Sequence, residues 1–214
     1  MSVLSEISQA LQSGKAKVVK ELVQKAIDEG LTASDILNNG LLTGMSVIGE
    51  KFKNDEIYVP DVLIAARAMN VGTEILKPLL ATSGAKAVGK VVIGTVFGDL
   101  HDIGKNLVKM MMEGRGLEVV DLGVNVSAQK FIDTAINENA QIICCSTLLT
   151  TTMPEMENVV NAAKNAGIRE NVTIMIGGAP VTQGYCDTIS ADIYTPDAAS
   201  AAEEAVKACV GRES

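Results

Sequence analysis

A single histidine occurs in the 214 residues, His101, within "FGDLHDIGKNL" at residues 97–107. Asp99 stands two positions before it and Asp102 directly after it. At that spacing a carboxylate can orient one ring nitrogen while the other points outward, which suits proton exchange or metal ligation. A lone histidine in a loop is also often an ordinary solvated side chain, so the rest of the chain has to separate these readings. The stretch only faintly resembles a phosphate loop. Five residues, not four, separate Gly98 from Gly104, and Asn106 follows Lys105 where a magnesium-binding Ser or Thr belongs. It is not a GxGxxG fingerprint either. Nucleotide hydrolysis is therefore disfavoured.

Other metal ligands are scarce. The four cysteines, Cys144, Cys145, Cys186 and Cys209, form no CxxC pair. With one histidine, a zinc site has too few ligands of the right type. The adjacent Cys144 and Cys145 lie in the apolar run "QIICCS" and read as small hydrophobes rather than as part of a disulfide framework. The net charge of −8 and the absence of any Lys/Arg cluster argue against nucleic acid as a partner. The amphipathic start lacks the apolar core of a signal peptide, and no apolar run is long enough to span a bilayer. A cytoplasmic protein with no membrane partner is expected.

Two kinds of periodicity divide the elements that must position His101. Residues 1–80 read as four helices in a compact bundle. "VLSEISQALQ" is the first. The second, "KAKVVKELVQKAIDEG", buries Val18, Val19, Leu22, Val23, Ala26 and Ile27 and stops at Gly30. The third starts at a Ser34 or Asp35 cap and turns Ile36, Leu37, Leu41, Met45 and Ile48 inward. The fourth carries Pro60 in its first turn, with alanines and Gly72 for close packing. The small, polar stretch 81–89 is expected to be a linker.

From residue 90 to 214, β-branched runs alternate with helices: "KVVIGTV", "LEVVDLG", "AQIICCS", "NVTIMIGG" and "ADIYTP". Helices are expected from about Ile103, Ser127, Thr152, Thr182 and Asp197, the third opened by a capping box from Thr152 to Glu155. Five such units predict an α/β domain, a flavodoxin-like (Rossmann-like), doubly wound, five-stranded parallel sheet behind the helical bundle. In strand order 2-1-3-4-5, ligands bind where the order switches, at the carboxyl ends of strands 1 and 3. The loop after strand 1 carries Asp99 and His101, and the loop after strand 3 carries Ser146 and Thr150. Ser146 is expected to satisfy the Asp99 carboxylate from across the crevice. With no other protein ligand nearby, a metal bound by His101 would have to arrive already held, which implies a macrocycle.

Asp99-x-His101-x-x-Gly104, Ser146-x-Leu148 and Gly177-Gly178 together resemble the three-part signature of cobalamin-binding domains. "GMSVIGEKFKNDEIYVPDVLIAARAM", residues 44–69, resembles the helical cap that precedes such a domain in cobalamin-dependent methionine synthase and in the corrinoid methyl carriers of anaerobic methyltransferase systems. The likeness extends over essentially the whole chain. It implies cobalamin or a related corrinoid as cofactor, cycling between methylcob(III)alamin and cob(I)alamin. It makes His101 the lower axial ligand of cobalt, with Asp99 and Ser146 as its relay. Gly98, Leu100 and Asp102 would lie against the corrin, and Gly104 would let the nucleotide tail pass. Leu148, Thr150, Gly177 and Gly178 would line the tail slot, with Ala198 at its far end. In the cap, Tyr58 falls near the methyl position, followed by the small Val62 and Ala65.

By the same resemblance the chain is a methyl-carrier subunit, not catalytic alone. A substrate-specific methyltransferase (for methylamine, betaine, methanol or a methoxylated aromatic) would load it. A second methyltransferase, using coenzyme M or tetrahydrofolate, would unload it, and a reductive activase is a further expected partner. A cobalamin sensor or storage module would share the site, but no output domain is seen. A cofactor-free response module would need an acceptor aspartate where the chain has Ser146.

Overall fold

The structure is a computed structural model, describing residues 2–83 and 87–211, without the side chains of residues 81–83. The chain divides into two compact units, one helical and one α/β.

In the helical unit, α1 (Val3–Gln12) and α2 (Ala16–Asp28) precede a continuous helical stretch made of α3 (Ala33–Asp35), a π-helical segment (Ile36–Leu42) and α4 (Thr43–Lys53). Helix α5 (Val59–Ser83) follows. The expected bundle is present, and α2 does end at Gly30, whose φ of +85° suits a residue without Cβ. The stretch starting at α3 begins two or three residues earlier than the expected Ser34 or Asp35 cap. Thr32 is the cap, its hydroxyl accepting the Asp35 N–H and donating to Asp35 Oδ2 at 2.7 Å. Of the six expected inward residues of α2, Val18 is exposed, because the buried stripe runs through Val19, Val23 and Ala26. Gly72 permits a close helix crossing: a Cβ there would lie 2.9 Å from the Leu41 methyls. Helix α5 runs to Ser83, into the stretch expected to link the units. Residues 84–86 of that stretch lie outside the described residues.

The α/β unit is a parallel sheet of β1 (Lys90–Thr95), β2 (Glu118–Asp121), β3 (Ile142–Ser146), β4 (Thr173–Gly177) and β5 (Ile193–Tyr194), in the order β2-β1-β3-β4-β5. The crossovers are α6 (Ile103–Glu113), α7 (Ala128–Asn137), α8 (Pro154–Asn165) and α9 (Gln183–Ile189), and α10 (Ala198–Gly211) ends the domain. The expected topology holds. The central strands β1, β3 and β4 are apolar at nearly every position because helices cover both faces, whereas β2 and β5 at the edges are only partly buried. Val92, Val96, Ile143, Cys145, Ile174 and Ile176 share one face and pack with Phe131 and Ile132 of α7, Met156 and Val160 of α8, and Cys186 and Ile189 of α9. Helices α6 and α10 pack together and against β1 and β3.

The period of two places Cys144 and Cys145 on opposite faces. All four cysteines are buried and unbridged. Burial pushes the Cys144 thiol up to about 12 and that of Cys145 well above its usual value, so neither is a thiolate at neutral pH.

Candidate functional site at the carboxyl end of the sheet

The β1–α6 and β3–α8 loops meet at Asp99, as the strand order requires. Its carboxylate is fully buried and accepts hydrogen bonds at both oxygens. Oδ1 accepts the His101 backbone N–H at 3.0 Å and lies 2.7 Å from His101 Nδ1. Oδ2 accepts the N–H groups of Leu148 (2.7 Å) and Leu149 (3.3 Å), and lies 2.8 Å from the Thr147 hydroxyl and 3.3 Å from that of Thr152. Burial by itself would raise the Asp99 pKa. The N–H donors of His101 and Leu148, the His101 ring and the Thr147 hydroxyl outweigh it and hold the carboxyl well below its usual range.

An ionised carboxylate only accepts, so the proton shared with His101 belongs to Nδ1. In the neutral ring the lone pair is then on Nε2, and the side chain is 52% exposed. That is the form of imidazole that binds a metal, with tautomer and orientation fixed from behind. The rest of the loop is equally well held. Thr95 Oγ1 donates to the His101 carbonyl at 2.8 Å, and Asp99 N–H to the Val96 carbonyl at 3.2 Å.

The hydroxyl partner of Asp99 is not the expected one. Ser146 ends β3 on the face of Ile142 and Cys144, and no described residue hydrogen-bonds its side chain. The next residue, Thr147, continues the other face, through Ile143 and Cys145, and is 1% exposed beside Asp99. Thr152 completes the pair at 2.6 Å from Thr147 Oγ1. Its hydroxyl is therefore not capping α8 as expected. Helix α8 begins instead with Pro154 in its first turn and no side-chain cap. The alternation along β3 already pointed to Thr147. The Thr152–Glu155 spacing pointed the wrong way, because a buried carboxylate competes successfully for that hydroxyl.

Other expected site residues divide into open and closed positions. Leu100 is 72% exposed, and Phe97, Ile103, Leu148 and Leu149 are also exposed, so an apolar rim borders the imidazole on both loops. Thr150 is exposed too. Asp102 is exposed at the start of α6, where its Oδ2 accepts from the Asn106 amide. Gly98 takes φ +80°, and a Cβ there would be 3.3 Å from the Thr152 methyl. A Cβ on Gly104 would meet nothing within 4 Å. Gly177 has comparable room, with the Thr195 carbonyl 3.9 Å from its notional Cβ.

The two remaining residues expected at the tail slot, Gly178 and Ala198, differ in exposure. Gly178 is exposed beyond the end of β4, and because φ is +131° and a Cβ there would lie 1.8 Å from the Thr147 carbonyl, only glycine fits this close backbone approach. Ala198 is buried in the first turn of α10 and has little surface to offer a ligand. Tyr58 of the helical unit is 72% exposed, but Val62 and Ala65, expected beside it, are fully buried, and α5 exposes Leu63 and Ile64 instead.

Among the described residues, no group of three His, Cys, Asp or Glu converges to hold a metal ion. The protein can offer a metal one imidazole, an apolar rim and the open space over Gly104. These suit a large, flat, mostly apolar group that carries its own metal.

The comparisons identify that group. Residues 89–210 match a B12 binding domain, and residues 3–77 match a second B12 binding domain family. The chain is 40% identical over 210 residues to a corrinoid protein of Desulfitobacterium hafniense, with 97% of each chain covered. It is 41% identical over 204 residues to dimethylamine corrinoid protein 1 of Methanosarcina acetivorans, covering 95% of each. The crystal structure of the methanol:cobalamin methyltransferase complex from Methanosarcina barkeri superposes with a TM-score of 0.88 at 31% identity, over 98% of this chain and 80% of that one. The chain therefore belongs to the B12-binding corrinoid proteins, and its cofactor is cobalamin or a related corrinoid.

Proposed function

We propose that this protein carries a methyl group on the cobalt of its corrinoid, accepting it from a substrate-specific methyltransferase and surrendering it to a second one. One observation carries the reading: a single exposed imidazole at the switch of strand order, with Nδ1 held by a buried carboxylate and Nε2 open beneath an apolar rim. When bound, the corrinoid supplies a cobalt that is both nucleophile toward an activated methyl group and its carrier. The chain's own residues hold and shield it. His101 would hold the cobalt through Nε2, and Asp99, fixed by Thr147 and Thr152, would keep the ring in the required tautomer. Leu100, Ile103 and Leu148 meet apolar parts of the macrocycle, while Gly98 and Asp102 flank His101. Gly104 leaves the tail room to pass, with Thr150 and Gly177 along its path.

Residues 90–214 would serve as the cofactor domain and residues 1–80, which include Tyr58, as the cap. Each partner would need the cap to give way before it reaches the cobalt. The names of the relatives support methylamines or methanol as the ultimate methyl source. Betaines and methoxylated aromatics are handled by the same chemistry, and coenzyme M or tetrahydrofolate is the final acceptor. A reductive activase completes the set. No described helix is long and apolar enough to cross a membrane, and such a carrier works in the cytoplasm, where its partners are.

The test is the absorbance spectrum of full-length protein loaded with hydroxocobalamin, beside His101→Ala. Wild type is expected to keep the cofactor through gel filtration, and the variant to show an altered axial-ligand spectrum. Identical spectra would remove His101 from the cobalt. If a methylamine or methanol methyltransferase fails to methylate the loaded wild type once a chemical reductant has brought its cobalt to cob(I), the carrier role is wrong for that donor.

A further inference from the structure

We propose that Asn125, in the loop after β2, is a positioning residue for His101: it clamps Gly98 and Asp99 and so sets how firmly the imidazole holds cobalt. The proposal rests on the reading of His101 as the axial ligand.

Asn125 adopts φ +54°, in the left-handed region that asparagine tolerates better than most residues. In that conformation its backbone and its side chain serve the same loop. Its N–H donates to the Asp99 carbonyl at 2.9 Å, and its Oδ1 accepts the Gly98 N–H at 2.8 Å. Asn125 is itself held in place by the bonds on either side. Thr95 N–H donates to the Gly123 carbonyl at 3.0 Å, and Val126 N–H to the Thr95 carbonyl at 2.9 Å. The strand pairing between β1 and the end of β2 thus passes, through Asn125, directly into the His101 loop.

The division of labour in that loop is specific. The Asp99 side chain fixes the tautomer and direction of the ring, as does its bond to the His101 N–H. Those contacts are anchored to the β3–α8 loop. Asn125 instead fixes the backbone from which the ring projects, on the β2 side. Without its amide, the Gly98 N–H faces water and the loop keeps one tether to this side, the Asn125 N–H. The relay on Asp99 is untouched, so the ring keeps its tautomer but loses definition of its reach toward the metal. Glycine at position 125 retains both the positive φ and that backbone bond, so it removes the clamp with the least disturbance to the turn.

The experiment uses full-length protein loaded with cob(II)alamin. Two readouts are taken: nitrogen splitting in the electron paramagnetic resonance spectrum, and the cob(II)/cob(I) midpoint by spectroelectrochemistry. Asn125→Gly is expected to lower the ratio of histidine-on to histidine-off cobalt by about two- to tenfold, the range set by one lost hydrogen bond. A tenfold loss moves a one-electron midpoint positive by about 59 mV, which remains measurable when the wild type is fully histidine-on. Asn125→Asp, which restores an acceptor for the Gly98 N–H, is expected to recover most of the wild-type splitting. Asn125→Ser, too short to reach Gly98, reports the same loss should the glycine variant fold poorly. Unchanged splitting and midpoint in the Gly and Ser variants would overturn the proposal, as would equal shifts in the Asp and Gly variants. If wild type shows no nitrogen splitting, or nitrogen-15 labelling of its histidine leaves the splitting unchanged, the axial-ligand reading itself fails and this proposal falls with it.

Discussion

The two ends of the parallel sheet both carry charge, but they use it differently. At the amino end, Lys90 pairs with Glu118 at 2.9 Å and Glu138 at 3.1 Å, and Arg169 pairs with Asp192 at 2.7 Å. The second oxygen of Asp192 accepts the Ile174 N–H, and the guanidinium also donates to the Ser190 carbonyl. Cations and carboxylates there are matched, and the pairs tie loops to strands. At the carboxyl end, Lys105 and Lys109 pair with Asp121 in the same way, at 2.7 and 3.4 Å, but the carboxylate of Asp99 has no Lys or Arg partner. It is surrounded by neutral donors, and its one ring partner keeps an open nitrogen toward solvent. Matched charges that saturate one another hold a fold together. A buried carboxylate that organises an exposed base leaves a capacity to bind unspent, and only the second arrangement has a rim of exposed Leu and Ile around it.

The sharpest way to break this contrast is to remove one charge at each end. Asp99→Ala leaves the buried N–H groups of Leu148 and His101 and the Thr147 hydroxyl short of their acceptor, which costs about 1–3 kcal/mol. It also frees the His101 ring, so the axial-ligand spectrum should change together with stability. Lys90→Ala removes two partly exposed pairs, each worth at most about 1 kcal/mol, and should leave corrinoid retention as in wild type. Urea melts of the apo forms and gel filtration of the loaded forms check both. The pH dependence follows from the same carboxylate. Its folded pKa is depressed, so its contribution is complete above the unfolded value of about 3.9 and is lost as pH falls below that toward the folded one. The part of the stability gap between wild type and Asp99→Asn that comes from the ionised carboxylate should therefore shrink below about pH 4.

A finer contrast sets two glycines side by side. Alanine at Gly178 drives a Cβ into the Thr147 carbonyl at a φ closed to it, and should destabilise the apoprotein by about 1–3 kcal/mol. Alanine at Gly104 meets no protein atom and sits in the first turn of α6. It should leave the apoprotein unchanged, or more stable by up to about 1 kcal/mol, while weakening corrinoid retention. Opposite signs in thermal melts, with cofactor loss in the Gly104 variant, mark one glycine as serving the fold and the other the ligand. Loss of stability in Gly104→Ala would show that α6 needs that glycine for itself.

These residues also show what the sequence could and could not reveal. The strand order, the crossover helices and the meeting of the two loops were legible because hydrophobic period and right-handed crossovers leave few alternatives. Asp99 and His101 were legible because two positions of spacing within one loop nearly dictate their contact. The hydroxyl from the other loop was harder to assign. Whether Ser146 or Thr147 faces Asp99 depends on where β3 stops alternating, a difference of one residue that reverses the face. Thr152 was read as a cap because local spacing cannot report a competitor 53 positions away. Asn125 carried no signal at all, since its role comes from a left-handed φ and from bonds to a loop that is remote in sequence.

The smallest expected effect tests that one-residue distinction directly. Thr147→Val keeps the shape of the side chain and removes only the hydroxyl, so one of the bonds to Asp99 Oδ2 is lost while Leu148 N–H and Thr152 remain. A loss of about 0.5–1.5 kcal/mol is expected, with only a slight change in the axial-ligand spectrum because Asp99 stays ionised and His101 stays bound to it. Ser146→Ala, whose hydroxyl has no described partner, should fall within about 0.5 kcal/mol of wild type. The double variant should equal Thr147→Val, since only one of the two side chains is coupled to the carboxylate. A larger effect from Ser146→Ala in the loaded protein than in the apoprotein would assign Ser146 to the cofactor rather than to Asp99. That outcome would split the expected relay between two neighbouring residues on opposite faces of β3.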